Sequence, residues 1–164
     1  MLIQRRLVAP CVTVFCVIVM AMIVQPARVT ALSFQAEVIV LTNAHRRNIM
    51  GEGCPNLLYS PALTIAAERH ANDMARRNYL SHTSPSGSSP WRRISWTGYR
   101  ALRTAENIAA GLQTPEDVVR RWLESPRHRA NILDCNLREI GIGFAHNPQT
   151  ALGNFWVQDF GTHR

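Results

Sequence analysis

The sequence predicts an α+β domain in which helices are layered against a small sheet. The first observation is a set of segments that begin with a capping Ser or Thr followed by proline, a combination that starts helices. These segments are Ser60-Pro61, Thr114-Pro115 and Ser125-Pro126. The second is a change of period late in the chain, where residues 139–145 and 151–160 have the composition of strands. Helices followed by a few late strands are typical of layered α+β domains.

Each predicted helix has its own local signal. Ser33 is a capping residue for the first helix, which Gly51-Glu52-Gly53 ends. The second carries apolar residues at helical spacing, the short third ends at Gly98, and the fourth has two acids in its first turn, where the helix dipole favours them. The predicted helices cover residues 34–49, 61–77, 91–97, 115–124 and 126–133, with a polar loop at 81–90 and a turn around Asn147-Pro148 between the strands.

Residues 1–31 have the layout of a secretory signal peptide. A basic start at Arg5-Arg6 precedes an apolar run over 7–24, and Val29-Thr30-Ala31 supplies small residues for a cut after Ala31. Cleavage there would leave a single domain, residues 32–164. The alternative is an uncleaved membrane anchor, because an apolar run of about 18 residues is near the lower limit for spanning a bilayer.

Two cysteines, Cys54 and Cys135, remain after such a cut. An isolated pair in an exported protein predicts a disulfide. It would close a loop of about 80 residues and stabilise the domain by about 4 kcal/mol. The alternative is two unrelated buried thiols.

The positive charge is spread along the chain. Three of the 18 basic residues precede the cut, which leaves 15 arginines against 11 acidic residues and no lysine. The basic residues form scattered pairs, and a continuous stripe for nucleic acid is not predicted. We expect each pair to be a solvated helix face: Arg46-Arg47, Arg76-Arg77, Arg92-Arg93 and Arg120-Arg121.

Five short motifs follow one another along the domain. They are Leu63-x-x-x-Ala67-x-x-His70-x-x-Asp73-Met74, Tyr79-Leu80-Ser81-His82, Ala105-Glu106-Asn107-Ile108-Ala109, the segment 125–133 that includes His128 and Asn131, and Phe155-Trp156-Val157-Gln158-Asp159-Phe160. Their order and spacing resemble the bacterial branch of the CAP superfamily, the SCP-like extracellular or cysteine-rich secretory proteins. The resemblance covers Phe34 to Gly161. It implies a three-layer α-β-α sandwich with a small, mainly antiparallel sheet.

The resemblance also implies a cleft lined by histidines and acids. His82, Glu106 and His128 match the two histidines and the first acid of that cleft. Where eukaryotic members have a second acid, this chain has Ser125, so we expect a triad with Ser125 nearby. Asn107 and Asn131 are expected to hydrogen-bond the loop backbone around the cleft.

Three kinds of chemistry fit two imidazoles and a carboxylate. His82 and His128 suit a weakly bound Zn²⁺ or Mg²⁺, with Glu106 reaching the ion through water. Alternatively, the same three residues are the catalytic candidates of a hydrolase, in which Glu106 orients a histidine base. No Gly-x-Ser-x-Gly nucleophile motif accompanies them. The third alternative is a hydrogen-bond network that only braces the loops. His70, on the apolar side of the second helix, is expected to be a core histidine.

The favoured function is a secreted binding or interaction module, extracellular or associated with the cell wall. Its expected ligand is a lipid or sterol, a wall component or a protein partner. The alternatives are an extracellular hydrolase acting on peptides or wall polymers, and a structural or inhibitory protein without catalysis. We expect a monomer with no nucleic-acid partner and no membrane span after cleavage. The aromatic residues of the late strands and of the fourth helix are expected in the core, the alternative being an apolar groove for a lipid.

Overall fold

The computed structural model describes residues 32–48 and 53–164, so the predicted signal peptide lies outside the described residues. These residues form five helices and four strands. They are α1 (Phe34–Arg47), β1 (Leu58–Tyr59), α2 (Pro61–Arg77), α3 (Pro90–Ser95), β2 (Ala101–Ala110), α4 (Pro115–Glu124), α5 (Pro126–Ile132), β3 (Glu139–His146) and β4 (Asn154–His163). No helix within the described ranges has the length and apolar character needed to cross a membrane.

The helix starts follow the predicted capping pattern. The side chains of Ser33, Ser60 and Thr114 each accept a hydrogen bond from a backbone N–H in the first turn of the helix that follows. This satisfies one of the N–H groups that a helix start leaves without a partner. Ser125 occupies the corresponding position before α5, but its side chain makes no capping bond, so that part of the prediction is wrong. At the other end of α2, Asn78 adopts the left-handed conformation with φ 51°.

The four strands form one mixed sheet in the order β1-β3-β4-β2. β4 pairs antiparallel with both β2 and β3, while β1 pairs parallel with β3. The mainly antiparallel sheet expected from the sequence is therefore confirmed, with one short parallel pair added. Only β3 and β4 were predicted as strands. β2, which forms an edge of the sheet, carries Glu106 and Asn107 on opposite faces, because side chains alternate along a strand.

Helices cover both faces of the sheet and produce the expected three layers. On one face, α2 packs through Ala67, Ala71 and Met74 against Phe155 and Val157 of β4. On the other face, α1, α4 and α5 enclose a larger apolar cluster. Its members include Trp122, Trp156 and Phe160, which are fully buried, as is Phe155. The four aromatic residues therefore belong to the core, as favoured over a lipid groove.

Helix α2 approaches β3 so closely that the strand needs glycine. A Cβ atom on Gly143 would lie 2.3 Å from the backbone oxygen of Ala67, and one on Gly141 would lie 2.1 Å from the backbone nitrogen of Thr64. Real Cβ atoms do not make such contacts with backbone, so the Gly-Ile-Gly sequence of β3 fixes the spacing of this layer.

A disulfide joins Cys54 and Cys135, which are 81 residues apart in the chain. The predicted pairing is confirmed. Nearby, the guanidinium of Arg46 is completely buried and donates to the backbone carbonyls of Ile132 and Leu137, at 2.6 and 3.1 Å. The prediction of a solvated pair is therefore wrong for Arg46. Its hydrogen bonds to free carbonyls offset the loss of water around the charge.

Candidate functional site: a carboxylate held between His82 and Arg93

The site is built around the carboxylate of Glu106. This side chain is only 3% exposed, and each of its two oxygens accepts a hydrogen bond from one side chain. Nδ1 of His82 donates to Oε1 at 2.7 Å, and Nη2 of Arg93 donates to Oε2 at 2.5 Å. The arrangement orients the His82 ring and leaves its Nε2 without a partner among the described residues. Because the His82 side chain is 50% exposed, the site is reachable from solvent.

Arg93 holds the polar loop in place as well as the carboxylate. Its Nη1 donates to the backbone oxygens of His82 and Ser88, at 3.0 and 2.8 Å. One guanidinium therefore joins α3, the loop that carries His82 and strand β2. The residue is 7% exposed, so the prediction of a solvated pair is wrong for Arg93 too. Burial is tolerated because the charge is paired with Glu106 and hydrogen-bonded to two carbonyls.

A chain of amides on the opposite face of β2 fixes α5. The amide nitrogen of Asn107 lies 3.1 Å from the backbone oxygen of His128 and 3.0 Å from Oε1 of Gln158. Asn131 donates to Oδ1 of Asn107 at 2.8 Å and to the backbone oxygen of Glu106 at 3.3 Å. Gln158 in turn donates to the hydroxyl of Thr42 on α1. The backbone oxygens that accept these bonds belong to helix α5 and strand β2, whereas bonds to loop backbone were expected for Asn107 and Asn131. The bonds tie the backbone of Glu106 and His128 together.

His128 lies on α5, and its backbone oxygen accepts a hydrogen bond from Asn107 of β2. Its ring is half-buried, and burial lowers its pKa below the ordinary value of 6.5. The positive charge of His82 lowers this pKa further, followed by that of Arg121, so the two imidazoles are near enough to interact. His82 and Glu106 are therefore in direct contact, and His128 is within electrostatic range of His82. Ser125 is half-buried at the start of α5, and nothing in the described contacts joins its side chain to these three.

Asp159 is a buried carboxyl that the sequence analysis assigned only to a strand motif. It is paired in register with Glu106 across β2 and β4 and has no exposed surface. Neither of its oxygens has a hydrogen-bond partner in the part of the chain that the structure describes. Burial raises its pKa well above the ordinary value, and the negative charge of Glu106 raises it further, against the opposing effect of Arg93. A charged residue inside an otherwise apolar strand was the sequence signal for this group.

The donor atoms fit a metal only in part. Both oxygens of Glu106 already accept hydrogen bonds from His82 and Arg93, which leaves the imidazoles as the available ligands. Within residues 32–48 and 53–164 there is no group of three or more His, Cys, Asp or Glu side chains arranged to hold an ion. Two neutral imidazoles suit a borderline metal such as Zn²⁺ better than Mg²⁺, which prefers oxygen.

His70 lies beneath this site, on α2. It is 1% exposed, and its Nε2 lies 2.9 Å from the backbone oxygen of Ser81. Burial lowers its pKa. Because a carbonyl can only accept, Nε2 carries the proton and Nδ1 has the free lone pair. This burial is what a core histidine requires.

Comparison with known families agrees with this architecture. Residues 39–160, well over half of the chain, match the family model described as CAP, the cysteine-rich secretory protein family. The chain belongs to the CAP family. Among curated CAP-like relatives, YkwD, an uncharacterized protein of Bacillus subtilis (strain 168), is 36% identical over 135 residues, which is 82% of this chain and 49% of YkwD. The chain therefore spans about half the length of that relative.

Solved structures show the same CAP fold. An extracellular protein with an SCP domain from Bacillus anthracis (strain Ames) superposes with a TM-score of 0.69 and 26% identity, over 78% of this chain and 40% of that one. An outer surface protein from Borrelia burgdorferi gives a TM-score of 0.71 at 20% identity, over 81% of this chain and 97% of that one. The second likeness shows the fold alone. The first of these proteins is named as extracellular and the second as an outer surface protein.

Proposed function

We propose that this chain is a secreted CAP module that binds an extracellular ligand through the cleft formed by His82, Glu106 and His128. The observation that carries the proposal is the polarised His82 ring. Its Nδ1 is held by a buried carboxylate, and its Nε2 is left free, among the described residues, on a half-exposed side chain. A histidine held in this way has a fixed tautomer and a basic free nitrogen, which is how proteins prepare an imidazole for a metal or a ligand.

His128 supplies the second nitrogen of the cleft. Burial and the positive charge of His82 lower the pKa of His128 below 6.5. This shift favours the neutral form of its ring. A neutral imidazole keeps a lone pair for a Zn²⁺ ion or a hydrogen-bond donor of the ligand. With only two protein nitrogens, a bound Zn²⁺ would be weakly held and exchangeable, and it would keep open positions for a ligand atom.

Calorimetric titration of the purified protein with Zn²⁺ tests this proposal. We expect a single weak site whose heat is lost in His82→Ala and in His128→Ala. His45→Ala is the matched control, because His45 is an exposed histidine on α1 with no role in the cleft. An unchanged heat in both cleft variants, or none with the unmodified protein, would contradict metal binding. N-terminal sequencing of protein recovered from the culture medium tests secretion, and the expected first residue is Leu32.

A hydrolase is the second candidate, favoured by the same His82–Glu106 contact. A carboxylate on one imidazole nitrogen orients the other as a general base, which would take a proton from a water molecule. Glu106→Gln should then abolish turnover of a peptide or glycan library, since the carboxylate no longer favours the charged ring. Absence of turnover by the unmodified protein would remove this candidate and leave the binding module.

A further inference from the structure

A second groove, distinct from the His82 cleft, lies between α2 and the segment that runs from the polar loop into α3. Its volume is about 510 Å³. We refer to it as the arginine groove. The lining residues that matter for its chemistry are Arg69, His70, Arg76, Ser88, Arg93 and Trp96. Neither His82 nor His128 lines it.

The arginine groove carries a surplus of positive charge. Arg76 and Arg77 share the carboxylate of Asp73, which also accepts the hydroxyl of Tyr79. Arg93 is matched by Glu106. Arg69 is exposed and has no ion-pair partner among the described residues, and Glu68 is the remaining carboxylate of the lining. The groove is lined by four arginines, and the three acids named above compensate three of them. One positive charge is left uncompensated, which favours an anionic ligand.

Three buried polar atoms in the lining residues lack a hydrogen-bond partner in the described part of the chain. They are Nδ1 of His70, Oγ of Ser88 and Nε of Arg93, on residues that are 1, 7 and 7% exposed. An unpartnered buried polar atom costs roughly 1–3 kcal/mol, so each such atom calls for a partner. These three atoms have almost no solvent-accessible surface, so they lie beneath the groove and do not contact a ligand in it.

The rim of the groove adds an exposed aromatic ring. Trp96 is 63% exposed and lines the groove at the end of α3. An indole presents a broad apolar face, against which the C–H face of a sugar ring can pack. A surplus of positive charge beside an exposed aromatic face matches a sugar ring that carries acidic groups.

We propose that the arginine groove is a second binding site whose ligand is an acidic carbohydrate, a sugar bearing hydroxyl groups together with carboxylate or phosphate. Arg69 and Arg76 attract the acid, and the exposed indole of Trp96 packs against the sugar ring. This site goes beyond the proposed function of the His82 cleft and does not depend on it. Arg93 alone touches both, so the test leaves Arg93 unchanged.

Calorimetry or NMR titration with defined sugars tests the proposal. A galacturonic acid trisaccharide and glucose 6-phosphate are the acidic probes, and they distinguish carboxylate from phosphate ligands. Maltotriose and inorganic phosphate are the neutral-sugar and anion-only controls. We expect one or both acidic sugars to bind at low salt, with affinity falling as salt rises because an exposed charge is screened.

Matched variants locate the binding. Arg69→Gln and Trp96→Ala should each weaken the acidic probe about fivefold to tenfold, or about 1–1.4 kcal/mol. Arg100→Gln and Trp91→Ala remove an exposed arginine and an exposed tryptophan that do not line the groove, and should have no effect. Zinc binding at the cleft should be the same in all four.

The proposal fails if acidic sugars bind no better than maltotriose, or if inorganic phosphate binds as tightly as glucose 6-phosphate. It also fails if Arg100→Gln and Trp91→Ala weaken binding as much as the groove variants. A loss of zinc binding in His82→Ala with unchanged sugar binding would separate the two sites. Failure of one proposal therefore leaves the other intact.

Discussion

Glu106 and Asp159 face each other across the β2–β4 pair, and only Glu106 has a counter-charge among the described residues. The guanidinium of Arg93 neutralises the Glu106 carboxylate, while Asp159 is buried beside it without a hydrogen-bond partner in the same part of the chain. Two adjacent carboxylates sharing one arginine cannot both ionise cheaply. Burial and the negative charge of Glu106 therefore raise the pKa of Asp159, while Arg93 pairs with Glu106.

This relationship predicts a pH dependence for the free energy of unfolding. The folded pKa of Asp159 lies above its ordinary value of 3.8, so the folded chain holds a proton that the unfolded chain releases. Its contribution to stability is full below that ordinary value and is lost as the pH rises towards and through the folded pKa. In Asp159→Asn this loss disappears, so the variant should become more stable relative to the wild type as the pH rises above 3.8.

Urea denaturation of both proteins at several pH values measures this difference. Asp134→Asn is a control carboxyl that lies outside the β2–β4 pair, and it should not remove the same pH-dependent loss. Equal pH profiles for the wild type and Asp159→Asn would show that Asp159 is ionised in the folded protein.

The buried pair of Arg93 and Glu106 should be costly to break from either side. Removing one partner leaves an uncompensated buried charge, so Arg93→Met and Glu106→Gln should each lower the free energy of unfolding by about 3–5 kcal/mol. The double variant should lose much less than the sum of the two, because no charge is then left alone. A double-mutant cycle measured by denaturant unfolding checks this, and additive losses would contradict a direct coupling.

The ring of His128 should titrate below 6.5, and part of that effect should come from His82. NMR titration of the imidazole signals measures the pKa directly. In His82→Ala the pKa of His128 should rise towards its ordinary value, since one of the positive charges that lower it is removed. His45→Ala is the control and should leave the titration of His128 unchanged.

The same titration has a consequence for stability. A histidine with a lowered folded pKa contributes stability that is present above 6.5 and lost as the pH falls through the folded pKa. His128→Ala should therefore be less sensitive than the wild type to acidification over that window. If His128→Ala lost more stability than the wild type on acidification, the lowered pKa of His128 would be contradicted.

The disulfide between Cys54 and Cys135 should contribute about 4 kcal/mol, mainly by restricting the unfolded chain. Its loop spans 81 residues and joins the segment after α1 to the segment after α5. The double variant Cys54→Ser with Cys135→Ser should unfold at lower denaturant than the wild type, and reductant should lower the wild type to a similar midpoint. Reductant should leave the double variant unchanged, and a shift there would point to another cause.

Gly143→Ala should disrupt the layer between α2 and β3. The added Cβ would meet the backbone oxygen of Ala67 at 2.3 Å, and backbone cannot move aside as a side chain does. We expect a loss of about 3 kcal/mol or more, at or beyond the upper end for overpacking. Gly161→Ala is the graded control, because its nearest neighbour is the side chain of Tyr99, which can shift. Equal losses in the two variants would contradict this explanation.

Much of the helical part of the fold was predictable from local chemistry. The Ser-Pro and Thr-Pro starts placed α2, α4 and α5 within a residue of their observed limits. Strand β2 was not predicted, because an alanine-rich segment with charged residues has little intrinsic strand preference. It becomes a strand by pairing with β4 along almost its whole length. Strand β1 is two residues long and exists only through its pairing with β3.

Some residues of the candidate site were also predictable from the sequence, and others were found only in the structure. The motifs and their family resemblance singled out His82, Glu106 and His128, and the structure shows a direct contact between the first two. Arg93 and Asp159 were missed as members of the site. Arg92 and Arg93 are identical neighbours in the sequence, and only the orientation of α3 on the sheet decides which guanidinium is buried.

What the sequence by itself determined was the order of the helices, the two late strands, the cysteine pair and the residue types of the cleft. These depend on caps, local period and spacing, which act over a few residues. Only the tertiary structure decided which charges are paired, which carboxyl has a raised pKa and which groove is positive. Those outcomes depend on burial and on distances between residues far apart in the chain, because the energy of a charge is set by what surrounds it.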